Sequence, residues 1–376
     1  MNPYNPFQNH LLICTICHSA YHYQSAYRYK CDCGGTLMIQ IPTIPKKSKT
    51  SNRNLFDRYQ HWWGLPDEFE YFTLGEGRTP IVPFRYRDRN ITGKLEYLSP
   101  SGSYKDRGAA LMISVLKYSG VKELIEDSSG NAGGSIAAYS TAAGINCSIY
   151  CPDTASGAKL SFIKNSGAKL NLIEGGRENA AKKALEEAEQ MVYGSHVWNP
   201  WFMAGVRSIA YEIAEDYEMV PEEIIMPLGN GALLLGVYQG FCDLLHAGLI
   251  KKIPKLIGVQ AVEVSPIFHL WLKIPYQQSG KTIAEGIANA APPRALEIVN
   301  AIHHSEGKVM VATEQEIIDA WKSAQSSGIL IEPTSAVVLA AEMQLSPNPH
   351  RLHIFTGSVL KTPGLLLTQE DSGSNS

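Results

Sequence analysis

Three stretches of this chain run through a Gly- or Ser-rich turn into a helical pattern of small and apolar residues: SPSGSYKDRGAA (99–110), EDSSGNAGG (126–134) and PLGNGALLLG (227–236). Further strand-like runs, INCSIYCP, KLNLIEG, KLIGVQAV and RLHIFTG, are separated by helical periodicity, as in GAKLSFIKNSG. Strands joined repeatedly by helices cannot pair as hairpins; they form parallel sheets covered on both faces. The expectation is therefore an α/β protein. With 376 residues, 44% of them hydrophobic, the chain has material for more than one core. A formal net charge of −3 argues against nucleic-acid or anionic-membrane partners. No apolar run reaches the roughly 18 residues that span a bilayer. The opening MNPYNPFQNHLLIC lacks the basic start of a signal peptide, so the expected location is cytoplasmic.

Four of the seven cysteines, Cys14, Cys17, Cys31 and Cys33, lie within twenty residues. In a reducing compartment two closely spaced thiolate pairs across a short loop suit tetrahedral zinc. The alternatives are a site without its metal and a redox centre. Four thiolates would close the coordination sphere, so such a zinc would be structural. Residues 1–40 read as a zinc-ribbon-like module and 41–75 as a linker. The catalytic region is expected over 76–368, with a small domain at about 96–195 and a large domain in the remainder. A disordered tail is expected at 369–376.

Each glycine turn could carry chemistry. Lys105 follows one turn and opens a helix, where the dipole favours its neutral amine and a nucleophilic role. An isolated lysine in a turn is ordinarily just exposed. Ser128 and Ser129 with Asn131 could form an anion-binding nest or a helix cap. Gly229, Asn230, Gly231 and Ala232 could bring backbone N–H groups onto a phosphate. They are not the dinucleotide fingerprint, because Leu234 stands where its third glycine belongs. SGKT (279–282) mimics the end of a P-loop, but Pro275 occupies the first glycine position.

Taken together and in this order, the motifs resemble those of the fold-type II pyridoxal-phosphate enzymes (tryptophan synthase β-like), and within them the threonine synthases. PSGSYKDRG is similar to P-T-G-S-F-K-D-R-G, and DSSGNAGGSIAAY to S-[ST]-G-N-[TA]-A/G-x-S-A-A-A-Y. PLGNGALLLG resembles P-V-G-N-x-G-N/T, EPTSA (332–336) resembles E-P-[AT]-S-A, and TGSVLK (356–361) resembles T-G-x-G-L-K. AEGI (284–287) and the N-terminal ribbon recur in the group. The resemblance implies two parallel-sheet domains with pyridoxal 5'-phosphate in the cleft between them. It implies that Lys105 holds the cofactor and shuttles protons, and that Asn131 bonds its phenolic oxygen. Residues 229–232 would bind the cofactor phosphate, and Thr356 would face the pyridine nitrogen. Ser128 and Ser129 would take the carboxylate of an amino-acid substrate. A homodimer is the family expectation.

The resemblance breaks at the substrate phosphate. Many members carry N-S-x-N-P-x-R, whose Asn, Ser and Arg hold that group; this chain reads HVWNPWF (196–202). Asn199 and Pro200 persist, while His196, Val197 and Phe202 replace the three ligands, and Ala132 replaces a frequent Thr. A phenyl ring cannot substitute for a guanidinium fork. Lys159, Arg207 and Ser208 are the candidate replacements, the alternative for Arg207 being a surface residue on a helix. The expectation is a threonine synthase, converting O-phosphohomoserine and water to threonine and phosphate, with a rearranged phosphate pocket. The alternatives are a serine/threonine dehydratase or cysteate-synthase-like β-replacement enzyme, and a catalytically idle binding protein. The intact Lys105, Asn131 and glycine loop oppose the last.

Overall fold

The computed structural model describes residues 7, 9–23, 25–41, 54–155, 157–217 and 219–362, apart from the side chains of residues 158 and 159. The expected disordered tail lies outside these residues. Near the N-terminus, β1 (Leu11–Cys14) pairs antiparallel with β2 (Ala20–His22) and with β3 (Leu37–Gln40). Period-two alternation in β1 turns Leu12 and Cys14 inward.

Residues 42–53 are outside the described chain, but the second half of the expected linker is folded. Asn54 caps α1 (Leu55–Tyr59) by accepting from the N–H groups of Phe56 and Asp57, both at 3.0 Å. A 3-10 turn, Gln60–Trp63, continues it and ends at Gly64, where φ is 65°. Phe56, Tyr59, Trp62 and Trp63 are all buried there. The Pro- and Lys-rich stretch before Asn54 suggests a linker, but NLFDRYQHWWG after it carries enough aromatic surface to dock.

A hairpin not anticipated from sequence follows. β4 (Ile81–Tyr86) and β5 (Arg89–Leu95) pair antiparallel through a two-residue turn in which Arg87 takes φ 52°. The chain then forms α2 (Lys105–Tyr118), β6 (Glu123–Glu126), α3 (Asn131–Ala142), β7 (Asn146–Pro152), α4 (Gly157–Asn165), β8 (Lys169–Ile173), α5 (Arg177–Glu187) and β9 (Val192–Tyr193). These four strands form an all-parallel sheet ordered β8-β7-β6-β9. After α6 (Pro200–Val206) and α7 (Ser208–Asp216) come β10 (Glu223–Pro227), α8 (Ala232–His246), β11 (Lys255–Ala261) and α9 (Pro266–Leu272). Then α10 (Ala295–His304), β12 (Lys308–Ala312), α11 (Glu314–Ser326), α12 (Pro333–Gln344) and β13 (Arg351–Phe355) complete the chain. The second sheet runs β12-β11-β10-β13-β5-β4, parallel except at the β4–β5 hairpin. Two parallel sheets wrapped by helices match the expected fold class. No described helix is long and apolar enough to cross a membrane.

The N-terminal module is bonded to the body. Arg294, 1% exposed, donates to Leu37 O (2.9 Å) in β3 and to Val197 O (2.8 Å), and pairs with Glu297 (2.9 Å). Thr15 and Thr36 both donate to Glu297. Trp201 of α6 makes ring contacts with Phe7, His10 and Tyr23.

Candidate active site

The turns after β6, β10 and β13 meet at one cavity. It is lined by Lys105, Ser128, Ser129, Asn131, residues 229–232 and Thr356, together with Asp127, Arg177, His196, Glu285 and Glu332. Brought to it are the first residues of five helices: Lys105, Asn131, Arg177, Ala232 and Pro333. A helix start carries partial positive charge, so five converging on one cavity favour an anion there, although the first N–H groups of α2 are already taken, Lys105 N by Ser103 Oγ and Asp106 N by Ser103 O. Ligand sites at the carboxyl ends of parallel strands are the general rule for such sheets.

Lys105 is placed by its neighbours. The Asp106 carboxylate, fully buried, accepts from Ser101 N (2.6 Å), Ser101 Oγ (2.5 Å) and Ser135 Oγ (2.5 Å), which ties the turn before α2 to α3. Arg107 is equally buried. It pairs with Glu96 (2.7 Å) and Glu212 (2.6 Å), and Lys94 reaches the same Glu212 oxygen at 2.9 Å. With Asp106 and Arg107 fixed, the Lys105 amine lies 4.8 Å from the Tyr104 ring centroid and 5.8 Å from that of Phe202. Burial, above all, lowers its pKa to about 7; the Arg177 charge adds to this, while Glu126 and Glu332 oppose it. Desolvation thus favours the neutral amine, as the helix dipole invoked from sequence also does.

Residues 229–232 form the turn into α8, which has no side-chain cap. Gly231 takes φ 87°, and a side chain at Gly229 would stand 2.9 Å from Ile287 Cα. The first N–H groups of α8 are therefore open to a phosphate. Asn131 lines the cavity, but its amide donates to both oxygens of Glu332, at 3.0 and 3.1 Å. The Thr356 hydroxyl pairs with Ser335 Oγ at 2.8 Å. A reactive amine, an uncapped helix start behind a glycine turn, and a neutral hydroxyl pair fit the amine-reactive aldehyde, phosphate and ring nitrogen of pyridoxal phosphate. Residues 278–283, with the SGKT decoy, are irregular and precede a 3-10 turn, Glu285–Ile287, whose backbone also lines the cavity.

Two proposed substrate residues are not in this cavity. Arg207 is 3% exposed and committed elsewhere: to Gln239 (3.1 Å), Asp243 (3.2 Å) and Ile39 O of β3 (2.6 Å). Ser208 donates to Gly205 O (2.7 Å) and accepts from Arg107 (3.2 Å). Arg207 holds the body to the N-terminal module through β3, Ser208 holds α7 to α6 and to Arg107 of α2, and neither can clamp a substrate. Lys159 belongs to α4, with its side chain outside what is described. Asn199 caps α6, accepting from Trp201 N at 3.0 Å, with Pro200 in the first helical position. Their persistence has a structural cause. Phe202 is fully buried, and its ring packs where a side chain at Gly108 would stand only 2.6 Å away. Sequence reasoning missed Arg177, which two glycines of positive φ, Gly175 and Gly176, deliver to the cavity at the start of α5. It also missed Glu332 as a lining residue, though EPTSA is one of the motifs that carry the resemblance.

The four cysteine sulfurs lie within 4.8 Å of one another, with Cys14–Cys33 and Cys17–Cys31 each at 3.5 Å. Tetrahedral zinc at about 2.3 Å from each sulfur needs about 3.8 Å between sulfurs, so the cluster is compatible with structural zinc. Purified protein should contain a single zinc. Its chelation should loosen the module from α6 and red-shift tryptophan emission through Trp201. Unchanged emission after complete zinc removal would show that the module folds without metal.

The family model for pyridoxal-phosphate dependent enzymes matches residues 72–351. The chain is 31% identical over 341 residues to the threonine synthase of Methanocaldococcus jannaschii, covering 84% of this chain and 83% of that protein. It is 29% identical over 337 residues to the Synechocystis threonine synthase, covering 86% and 87%. Among solved structures, maize serine racemase superposes with TM-score 0.66 at 22% identity, covering 79% of this chain and 92% of that one. The T.th. threonine deaminase gives TM-score 0.64 at 21% identity, covering 75% and 92%. Both structural likenesses speak to the fold.

Proposed function

We propose that this chain, which belongs to the pyridoxal-phosphate-dependent enzymes and within them to the threonine synthase family, converts O-phosphohomoserine and water to L-threonine and phosphate. The carrying observation is one cavity in which Lys105, with its pKa lowered to about 7, shares space with four other helix starts, Arg177 among them. An amine poised near neutrality can take a proton from the substrate Cα and return it elsewhere. Residues 229–232 would seat the cofactor phosphate and Thr356 would meet its ring nitrogen. When bound, the cofactor supplies an electron sink for the carbanion. Ser128 and Ser129, with the start of α3, would orient the substrate carboxylate. Arg177 supports a second anion in the substrate, supplying from α5 a guanidinium that position 202 lacks.

A second reading rests on Phe202 and Arg207. With a buried ring at the first and the second tied to β3, a serine/threonine dehydratase or β-replacement enzyme would need no phosphate clamp. The cofactor-loaded protein should be incubated separately with O-phosphohomoserine, L-serine, L-threonine and O-phosphoserine, assaying phosphate, threonine and 2-oxo acids. Equal release of phosphate and threonine from O-phosphohomoserine is expected. A 2-oxo acid from serine or threonine, with O-phosphohomoserine inert, would establish the second reading instead.

A further inference from the structure

His196 is 5% exposed and lines the cavity. Its Nδ1 lies 2.7 Å from Oε1 of Glu126, which is the last residue of β6 and fully buried. Glu126 Oε2 is buried with no hydrogen-bond partner among the described residues. The imidazole edge meets the Phe202 ring at a 6.0 Å centroid separation. Carboxyl and imidazole thus form a hydrogen-bonded pair, and Nε2 is the imidazole atom left for the cavity.

The protons of this pair can be counted. When the carboxyl is protonated, it donates to Nδ1, and the imidazole hydrogen sits on Nε2. When that shared proton has moved to Nδ1, the imidazolium still carries hydrogen on Nε2. Only when the pair as a whole loses a proton does Nε2 become a bare lone pair, with Nδ1–H donating to the carboxylate. The surroundings oppose that loss at Glu126. Burial first, then the neighbouring Asp127 charge, hold its pKa well above the usual carboxylate range, against a smaller opposing pull from Lys105. Burial first, then Lys105 and Arg177, hold that of His196 well below its usual value. The uncharged pair, carboxyl protonated and hydrogen on Nε2, satisfies both pressures. Asp127, Lys105, Arg177, Glu285 and Glu332 are the charged side chains sharing the cavity with it, and Tyr193, Cys147 and Cys151 are further titratable groups within reach of the Glu126 charge.

We propose that His196, held by Glu126, presents its Nε2–H as a hydrogen-bond donor to an oxyanion of the substrate's departing group, such as a phosphate oxygen. His196 is then a substrate-contacting residue and Glu126 a positioning residue. The identity of the departing group rests on the reading above; the donor state of Nε2 does not. Anion binding falls as pH rises through the point where the pair loses its proton.

Two measurements on cofactor-loaded protein test this. In 15N-histidine-labelled protein, with the His196 signals assigned by their loss in His196→Asn, Nε2 should be protonated at neutral pH. A bare Nε2 beside a protonated Nδ1 there would overturn the proposal. The second measurement is the affinity for inorganic phosphate against pH. His196→Asn keeps an amide donor and should bind phosphate without the wild-type alkaline decline, whereas His196→Leu should bind about tenfold more weakly. Glu126→Gln can donate an amide hydrogen to Nδ1 and has no proton to lose, so its alkaline decline should also vanish. Identical pH profiles in wild type, His196→Asn and Glu126→Gln would show a merely structural pair. If the NMR and phosphate results hold while O-phosphohomoserine is inert, the assigned reaction fails and the donor pair stands.

Discussion

Replacing Lys105 with Ala should abolish turnover, with a loss of at least about 10²–10⁴-fold, the range for removing a positioned proton carrier. Purified Lys105→Ala should also lack the visible absorbance that a covalently held aldehyde cofactor gives the wild type. Lys105→Arg should be equally inactive, because a guanidinium is neither a nucleophile nor a base at neutral pH. The pH dependence follows from the pKa near 7. Below it the amine is protonated, so uptake of the aldehyde by cofactor-free protein should slow by about tenfold per pH unit; above it the rate should level. Full activity in Lys105→Ala would remove the basis of the proposed function. Uptake limited by an ordinary lysine would instead keep rising toward the usual value of 10.5.

Arg107→Met should cost about 3–5 kcal/mol of folding stability, because it strands Glu96 in the core and takes one of three cations from buried Glu212. Lys94 and Arg58 remain beside Glu212, whereas Glu96 keeps, among the described residues, only the 2.6 Å side-chain hydrogen bond from Thr79. Burial pushes the Glu212 carboxyl up, but Arg107 and then Lys94 outweigh it and hold the pKa well below the usual range. A depressed carboxylate contributes stability above its unfolded pKa and loses it as pH falls toward the folded value. The gap between wild type and Arg107→Met should therefore be full at neutral pH and narrow below about pH 4.5. Denaturant unfolding at several pH values measures this. A gap under about 1 kcal/mol, the worth of an exposed pair, would mean that the network adds nothing a surface pair would not.

The chemistry at Lys105 was legible because its requirements are local. Glycines at 229 and 231 let a turn curl onto a helix start, and a lysine opening a helix is already placed for its role; both are properties of a few consecutive residues. The same holds for the cysteine cluster and for the alternation of strand and helix that dictates parallel sheets. Asp106 and Arg107 were legible as letters of a motif but not as physics. Their partners Ser135 and Glu212 lie 29 and 105 residues away, a separation that only the packed fold closes.

Arg207 shows the opposite failure. An arginine near a substrate motif looked like a phosphate clamp, and only the docking of β3 showed its charge spent on Ile39 O, Gln239 and Asp243. Arg177 was invisible for the complementary reason: nothing in GGRENAA announces a ligand, and its place at the cavity comes from the turn between β8 and α5. The sequence by itself determined the fold class and singled out Lys105 and the turn at 229–232 as candidates, which the structure brings to one cavity. Only the tertiary structure decided which cations line the cavity, because whether a charged side chain is free or paired depends on distant elements that no local pattern encodes.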